Sequence, residues 1–308
     1  MKKYRSKIAV IIPCYNECKT IANVIKDYRN ALQEADIYVI DNNSTDGTDK
    51  IAKENGAIVL YEYRQGKGNA VKYAFRSIKA ECYLMVDGDD TYPADKALEM
   101  CNLVLEEKAD MVIGDRLSST YFVENKRKFH GFGNRLVRWL INFIFRSDIK
   151  DVMTGSRAFS YEFVKGFPLI SKGYELETEL TIYALDRNYK IATIPVSYKD
   201  RVEDSFSKLN TFSDGMKVLH TIGRLFKEYK PVTFFNFFAI ILLLISFLLI
   251  IPVLVEYSAT GLVPRFPTLI VSGFFAVAAI ILWACGIILG VINKKHRELY
   301  ELYLNQLD

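Results

Sequence analysis

Three carboxylates stand within four positions in the segment LMVDGDDTYP, residues 84–93. Asp87, Asp89 and Asp90 would repel one another at neutral pH unless their charges were solvated or neutralised. One explanation is a polar turn, because Asp-Gly is common in turns. The other is a divalent cation that neutralises the carboxylates and holds a phosphorylated ligand. Which of the two applies depends on where the neighbouring elements place this segment.

Short apolar runs alternate with helical patterns through the first part of the chain, which predicts an α/β fold with a mostly parallel sheet covered on both faces. In such sheets ligands lie at the carboxyl ends of the strands. Asn16, Asp41 and Asp87 stand at three of these ends, so the acidic segment lies where a ligand is expected. The predicted strands are KIAVIIP (7–13), IYVID (37–41), AIVLYEY (57–63), YLMVD (83–87) and DMVIGDR (110–116), the last of which closes the series.

Other ligand-binding motifs fit the chain poorly. A dinucleotide-binding G-x-G-x-x-G should follow the first strand, whereas Gly66-Lys-Gly68 follows the third and lacks the last glycine. An EF-hand loop needs glycine where this chain has Tyr92, and the three histidines lack the spacing of a metal site. What remains is Mg²⁺ or Mn²⁺ held by one or two carboxylates and a diphosphate, with the small Gly88 allowing close approach.

Two long stretches without charged residues follow the α/β region, at 232–255 and 266–293. Each exceeds the roughly 20 residues with which a helix crosses a bilayer. Because Lys and Arg collect on the cytoplasmic side of membrane spans, we expect both termini in the cytoplasm and the connecting loop outside. The N-terminal sequence enters a globular pattern directly, so no signal peptide is expected. The flanking basic residues are Lys227, Lys230, Lys294, Lys295 and Arg297.

Composition agrees with a cytoplasmic domain at the cell membrane. The five cysteines are scattered and form no disulfide framework, as in a reducing compartment. The net charge of +4 is modest and matters where basic residues cluster beside the spans, so the membrane is an expected partner and a nucleic acid is not. The segments 129–147 and 213–230 mix basic with bulky apolar residues, as helices among lipid headgroups do. An ordinary core-packing helix is the alternative for each.

These patterns predict four regions. They are a cytoplasmic α/β domain at 1–212 that includes the interfacial helix at 129–147, a juxtamembrane amphipathic helix at 213–231, two spans within 232–293, and a cytoplasmic tail at 294–308. The tail carries Leu299, Leu302 and Tyr303 on one helical side, which is compatible with a homo-oligomer.

Four motifs in order resemble the family 2 glycosyltransferases: VIIPCYNE (10–17), DNNSTDGT (41–48), VDGDD (86–90) and YKDRVEDSFSKLNTFSDG (198–215). The chain is most similar to the branch that moves a sugar from a nucleotide to a polyprenyl phosphate, as dolichyl-phosphate mannose synthase does. The resemblance covers residues 7–230. It implies a Rossmann-like GT-A domain, followed by amphipathic juxtamembrane helices and a two-helix transmembrane hairpin. It also implies inverting transfer to undecaprenyl phosphate for cell-envelope glycans, with Mg²⁺ or Mn²⁺.

The resemblance also implies roles for individual residues. The nucleotide sugar is bound by Pro13, Tyr15, Glu17, Asp41, Asp87, Gly88 and Arg116. The metal is bound by Asp89 and by Thr91, which stands where some relatives have a metal-binding glutamine. Catalysis involves Asp89, Asp151 and Arg201. The acceptor phosphate is bound by Arg201, Ser207 and Lys208 of the basic segment and by Arg135 of the amphipathic segment 129–147.

A lipid phosphate needs little help from a base, because its second pKa near 6 leaves it largely dianionic in the cytoplasm. A catalytic histidine is therefore unnecessary, and Asp151 would orient or polarise rather than remove a proton. Lys67 is open to two interpretations, as a phosphate ligand or as a solvated loop lysine. Alternating Glu175, Glu177 and Glu179 could likewise form a solvated face or face the sugar.

The identity of the donor is the main open choice. The SKLNT…DG form of the basic segment favours a UDP-hexose or a UDP-N-acetylhexosamine over GDP-mannose, which is the alternative. A processive polysaccharide synthase would need a Q-x-x-R-W motif and more spans than two. A protein of a different class, a non-catalytic membrane sensor of nucleotide sugars, is the remaining alternative. The acidic pair and the basic segment argue against it.

Overall fold

The computed structural model describes residues 6–117, 130–168, 175–199 and 211–304 of the 308 residues. Contacts divide the chain into two compact units, Met1–Ile222 and Gly223–Asp308. The first unit carries the sheet and the acidic segment, and the second consists mainly of two long helices.

The first unit is built on one seven-stranded sheet in the order β3-β2-β1-β4-β6-β5-β7. Neighbouring strands run parallel except at β6, which is antiparallel to both β4 and β5. The strands are β1 (Ser6–Cys14), β2 (Asp36–Asp41), β3 (Ile58–Tyr61), β4 (Ala80–Met85), β5 (Met111–Asp115), β6 (Arg157–Ser160) and β7 (Ile191–Pro195).

Helices connect the strands. In α1 the residues Ile21, Val24, Ile25 and Tyr28 are buried, which is the apolar face that the sequence predicts. The described helices of this unit are α1 (Ile21–Ala31), α2 (Thr48–Glu54), α3 (Lys67–Ser77), α4 (Ala97–Leu105), α5 (His130–Phe145), α6 (Tyr161–Gly166) and α7 (Leu176–Asp186), with a 3₁₀ turn at Ala94–Lys96; α8 (Thr211–Tyr229) begins in this unit and ends in the second.

The central strands place the candidate site. Ala9 to Ile12 of β1 are fully buried, which explains their apolar, β-branched sequence. The strand register pairs Cys14 of β1 with Asp41 of β2, and Ile11 of β1 with Met85 of β4. The carboxyl ends of β2, β1 and β4 therefore lie side by side at one edge of the sheet.

The mostly parallel α/β sheet predicted from the sequence is confirmed, and each of the five predicted strands overlaps an observed one. The prediction that residues 110–116 close the series is wrong, because β6 and β7 follow. β6 has only four residues, begins with the fully buried Arg157 and inserts antiparallel between β4 and β5. A charged residue at its start hides it from a search for apolar runs.

In the second unit, α9 (Pro231–Thr260) and α10 (Phe266–Leu304) contain the two predicted spans. Both helices are long and apolar enough to cross a membrane, with mean hydropathies of 3.3 and 2.7, and little of either is buried within the protein. The helices exchange hydrogen bonds at one level: Ser246 Oγ donates to Ser272 O at 2.9 Å and Ser272 Oγ donates to Ser246 O at 3.1 Å. This pairing fixes the register of the hairpin.

Candidate active site

Two loops at the carboxyl edge of the sheet are joined by hydrogen bonds. The loop after β1 donates from its backbone to side chains of the loop after β2: Asn16 N to Ser44 Oγ at 3.0 Å, Glu17 N to Thr48 Oγ1 at 2.9 Å, and Cys18 N to Asp46 Oδ2 at 3.0 Å. Partial burial acts to raise the pKa of Asp46, but hydrogen bonds from Thr48 and Cys18 hold it below its ordinary value. The loops therefore form one preorganised surface.

Asp41 has a buried carboxylate, and one of its two oxygens accepts no hydrogen bond from a described residue. Its Oδ2 accepts a hydrogen bond from Ser44 N at 3.2 Å, whereas no described residue donates to Oδ1. A buried acceptor without a partner is costly, so this oxygen suits an N–H group of a ligand. A pocket of about 350 Å³ opens here and is lined by Asp41, Asn43, Ser44, Thr45, Tyr61 and Tyr63. Pro13 and Tyr15, at the end of β1, are half-buried and exposed respectively.

The second carboxylate of the acidic segment is held by its neighbour. Asp89 is buried, and its Oδ1 accepts a hydrogen bond from Thr91 Oγ1 at 2.6 Å. A Cβ on Gly88 would stand 2.8 Å from Cys14 Sγ, so glycine is needed here for packing against β1. Thr20 Oγ1 donates to Gly88 O at 2.6 Å and fixes the backbone between the two acids. Asp89 is thus presented on a rigid loop.

The first carboxylate belongs to a partly buried cluster that links three elements. Lys67, at the start of α3, places Nζ 2.6 Å from both Asp87 Oδ1 and Glu177 Oε1. Burial acts to lower the pKa of Lys67, but the two carboxylates raise it above its ordinary value, so the lysine is charged. The interpretation of Lys67 as a solvated loop lysine is therefore set aside. Glu177 and Glu179 are likewise buried and do not form a solvated face.

Arg116, just after β5, forms a bidentate ion pair with Asp151. Its Nε lies 2.8 Å from Asp151 Oδ2, and its second terminal nitrogen lies 3.2 Å from Asp151 Oδ1. Asp151 is 0% exposed, and Met153 N also donates to its Oδ1 at 3.1 Å. Both oxygens of Asp151 are occupied, so the geometry suits orientation of the guanidinium rather than proton transfer.

The loop between Asp151 and β6 supports this arrangement, and sequence reasoning missed it. Arg157 is fully buried, where it donates to Val152 O at 2.6 Å, Thr154 O at 3.1 Å and Thr181 Oγ1 at 2.9 Å. Desolvation lowers the pKa of Arg157 to about 10, so it stays charged near neutrality. The only signal in the sequence is an arginine beside apolar residues in SRAFS.

The family model of Glycosyl transferase family 2 matches residues 9–166 of this chain. The chain belongs to this family. Glycosyltransferase AglJ of Haloferax volcanii is 36% identical over 230 residues, which cover 74% of this chain and 75% of that protein. The dolichyl-phosphate hexose transferase of the same organism is 29% identical over 224 residues, covering 72% and 95%. This protein is a glycosyltransferase, and the alternative of a non-catalytic sensor is set aside.

Solved structures support the GT-A fold of this glycosyltransferase. Glucosyl-3-phosphoglycerate synthase from Mycobacterium tuberculosis, in complex with Mn²⁺, uridine diphosphate and glucosyl-3-phosphoglycerate, superposes with a TM-score of 0.58. The match covers 72% of this chain and 80% of that one at 22% identity, so it concerns the fold alone.

The predicted site residues of the glycosyltransferase fall into three sets. The acids and Arg116 lie at the carboxyl ends of β1, β2, β4 and β5 and on the loop that leads to β6. Arg135 is exposed on α5. The roles assigned to all of these residues stay predictions. Arg201, Ser207 and Lys208 lie outside the described residues.

Gly155→Ala is expected to raise the KM for the donor at least about 10-fold, because a Cβ there would stand 2.3 Å from Asp87 Oδ2 and push that carboxylate out of place. Steady-state kinetics at varied donor concentration would measure the change. Gly273→Ala is the matched control, since a Cβ at that helical position meets no atom within 4 Å. A normal KM for Gly155→Ala would contradict the importance of Asp87 to the donor.

Proposed function

We propose that this glycosyltransferase moves a hexose or N-acetylhexosamine, with inversion, from a UDP-sugar to polyprenyl phosphate, in bacteria undecaprenyl phosphate. The observation that carries the proposal is the row of Asp41, Asp89 and Arg116 along one edge of the sheet, in a chain with two helices able to cross a membrane. The product would be a lipid-linked sugar for modification of cell-envelope glycans.

The environment of Asp41 favours uracil over guanine. One carboxylate oxygen already accepts from Ser44 N, which leaves a single buried acceptor. Uracil offers one imide N–H, whereas the Watson–Crick edge of guanine offers adjacent N–H groups that a carboxylate would bind with both oxygens. The pocket beside Asp41 is also lined by Tyr61 and Tyr63, whose aromatic rings could stack on a planar base. GDP-mannose remains the alternative donor.

Asp89 fits a divalent cation, Mg²⁺ or Mn²⁺. Its buried carboxylate is hard and anionic, and Thr91 adds a hydroxyl oxygen beside it. Among the described residues no three His, Cys, Asp or Glu side chains converge for a metal, so diphosphate and water would supply the other ligands. When bound, the cation would neutralise charge on the leaving diphosphate. The GT-A structure of similar fold was obtained with Mn²⁺ and uridine diphosphate.

The chain's own residues would then position both reactants. Arg116, held by its ion pair with Asp151, is proposed to bind phosphate oxygens of the donor. No residue is needed to remove a proton, because the attacking lipid phosphate is already anionic. Acceleration would come from placing the phosphate oxygen in line with the bond to the leaving diphosphate. Arg135, Arg201, Ser207 and Lys208 are proposed to bind the acceptor.

The lipid acceptor is supported by two observations. A relative that matches this chain over 224 residues, 95% of its own length, is a dolichyl-phosphate hexose transferase, and both C-terminal helices of this chain have the length and hydropathy of membrane spans. A polyprenyl phosphate has its charged head at the membrane surface, where an anchored enzyme would meet it. With basic residues flanking the spans, we propose that both termini are cytoplasmic. The proposed regions remain 1–212, 213–231, 232–293 and 294–308.

A transfer assay tests the proposal. The full-length protein in liposomes containing polyprenyl phosphate would be given labelled UDP- or GDP-sugars with Mn²⁺, and the lipid phase extracted. Label is expected in lipid from a UDP-sugar and not from GDP-mannose, and none with the Asp89→Ala variant as control. Label that appears only in lipid-free product, or only from GDP-mannose, would contradict the acceptor or the donor respectively.

A further inference from the structure

Arg116 contacts an aromatic ring as well as a carboxylate. Its guanidinium carbon, Cζ, lies over the ring of Tyr198, 5.6 Å from the ring centroid. The same guanidinium forms the bidentate ion pair with Asp151, and only 12% of the Arg116 side chain is exposed. Tyr198 lies shortly after β7 and is half-buried. The guanidinium is thus fixed by two side chains of different chemistry.

The backbone on both sides of Tyr198 is hydrogen-bonded to the candidate site. Val196 N donates to Asp115 O at 3.0 Å, and Lys199 N donates to Thr91 O at 3.0 Å. The first bond connects the segment to the end of β5, and the second connects it to the loop after β4. The place of Tyr198 is therefore set by the backbone and not only by the packing of its ring.

The ring of Tyr198 packs on a second tyrosine. Tyr92 and Tyr198 meet edge to face, with ring centroids 5.7 Å apart and planes at 81°, an arrangement that aromatic pairs favour. Tyr92 is buried, and its hydroxyl oxygen accepts hydrogen bonds from Gly155 N at 3.0 Å and Thr154 Oγ1 at 3.3 Å. Those two residues lie in the loop that carries Asp151. Tyr92 therefore supports both partners of the guanidinium, Asp151 and Tyr198.

Two explanations fit the position of Tyr198. It packs against the apolar core of the sheet, so its ring could serve packing alone. Leucine would then replace it with little effect at the site. The attraction of a guanidinium to the face of a ring needs a π system, which leucine lacks. Because the Cζ of Arg116 lies over the ring within the roughly 6 Å at which this attraction acts, the geometry favours a role toward Arg116.

We propose that Tyr198 is a positioning residue for sugar transfer: its ring orients the guanidinium of Arg116 toward the phosphates of the donor. Asp151 binds the guanidinium through hydrogen bonds, and Tyr198 limits the motion that those bonds still allow. A group that is oriented beforehand loses less conformational freedom when a ligand binds, so the affinity is higher. The inference rests on the proposed function, in which Arg116 binds the donor, and adds a residue to which that function assigns no part.

Calorimetric titration of the full-length protein with UDP and Mn²⁺ tests the role of the ring. Tyr198→Leu is expected to raise the Kd of UDP about 3- to 10-fold, as for the loss of one contact between a cation and a ring. Tyr198→Phe keeps the ring and should bind within about twofold of the wild type. Tyr161→Leu is the matched control and should leave the Kd unchanged. Tyr161 is also half-buried with a cation over its ring, Lys165 Nζ at 5.8 Å from the centroid, but stands at the start of α6.

A double-mutant cycle separates positioning from packing. In a background with Arg116→Gln and Asp151→Asn, which removes both charges of the ion pair together, Tyr198→Leu should have no further effect on the Kd. Thermal unfolding would show that each variant folds. An equal rise of the Kd in both backgrounds would overturn the inference. So would a normal Kd for Tyr198→Leu, or a rise for Tyr198→Phe as large as that for Tyr198→Leu.

The same cycle distinguishes failure of the inference from failure of the proposed function. If the protein binds GDP and not UDP, the cycle is run with GDP, and the expected pattern would support the role of Tyr198 while contradicting a UDP-sugar as donor. If the background variant binds the nucleotide as tightly as the wild type, Arg116 has no part in donor binding, and the inference fails together with that part of the proposed function.

Discussion

Replacing Asp89 by asparagine is expected to lower sugar transfer by about 10³-fold or more, since charge stabilisation by a bound metal ion supplies several kcal/mol. Asparagine keeps the shape of the side chain and can still accept the hydrogen bond that Thr91 Oγ1 now donates to Asp89. It removes the negative charge. Transfer rates and calorimetric titration of UDP with and without Mn²⁺ would measure the effect. Mn²⁺ should tighten UDP binding in the wild type and have little influence in the variant.

Asp90→Asn is the matched control for this prediction. Asp90 is the adjacent carboxylate, and its backbone has a positive φ of 57°, a conformation that asparagine also tolerates. Burial raises the pKa of Asp90 above its ordinary value, and Lys199 lies 4.0 Å away. We expect a change in rate within about threefold, as for a substitution outside the reacting centre. Equal losses in the two variants would mean that general negative charge, and not a specific ligand, matters.

Replacing Lys67 by methionine is expected to have the second largest effect. Asp87 and Glu177 would then face each other without the cation that now lies 2.6 Å from both. Removal of one partner from a fully buried ion pair costs about 3–5 kcal/mol, and because the Asp87 side chain is 26% exposed we expect a smaller but clear loss of thermal stability. The donor KM should also rise, because Asp87 would no longer be held.

Two further variants make the result specific. Lys67→Arg keeps the charge and should retain more stability and a lower donor KM than Lys67→Met. Adding Glu177→Gln to Lys67→Met removes one of the uncompensated charges, so the double variant should be more stable than the sum of the single effects predicts. Thermal unfolding and donor kinetics would measure both effects. Strict additivity would show that the three residues do not act as a cluster.

The sequence predicts which residues lie at the carboxyl edge of the sheet. It does not predict the long-range side-chain contacts that hold these residues in place. Asp41, Asp87 and Asp89 could be placed together because parallel strands end at a common edge. The contact of Lys67 with Glu177 could not be predicted, since the two residues lie far apart in the chain and no repeating pattern links them. The same holds for Arg116 and Asp151, whose pairing depends on how the loop before β6 folds back.

β6 shows a second limit of the sequence. Periodicity detects strands by uninterrupted apolar residues, and β6 begins with an arginine that is buried because backbone carbonyls of the preceding loop surround it. Its charge is satisfied by tertiary hydrogen bonds that have no local signature. The antiparallel direction of β6 also follows from the path of the chain around the sheet rather than from residue type.

In the proposed transmembrane hairpin, the mutual hydrogen bonds of Ser246 and Ser272 bear on how the two helices respond to membranes of unequal thickness. Sliding one helix past the other by a single turn, about 5.4 Å, would break both bonds at once in surroundings that offer no water to replace them. A hairpin so locked can match a thinner or thicker bilayer only by leaning as a whole. We therefore expect changes in acyl-chain length to alter the tilt of the hairpin, while the position of α9 along α10 stays constant.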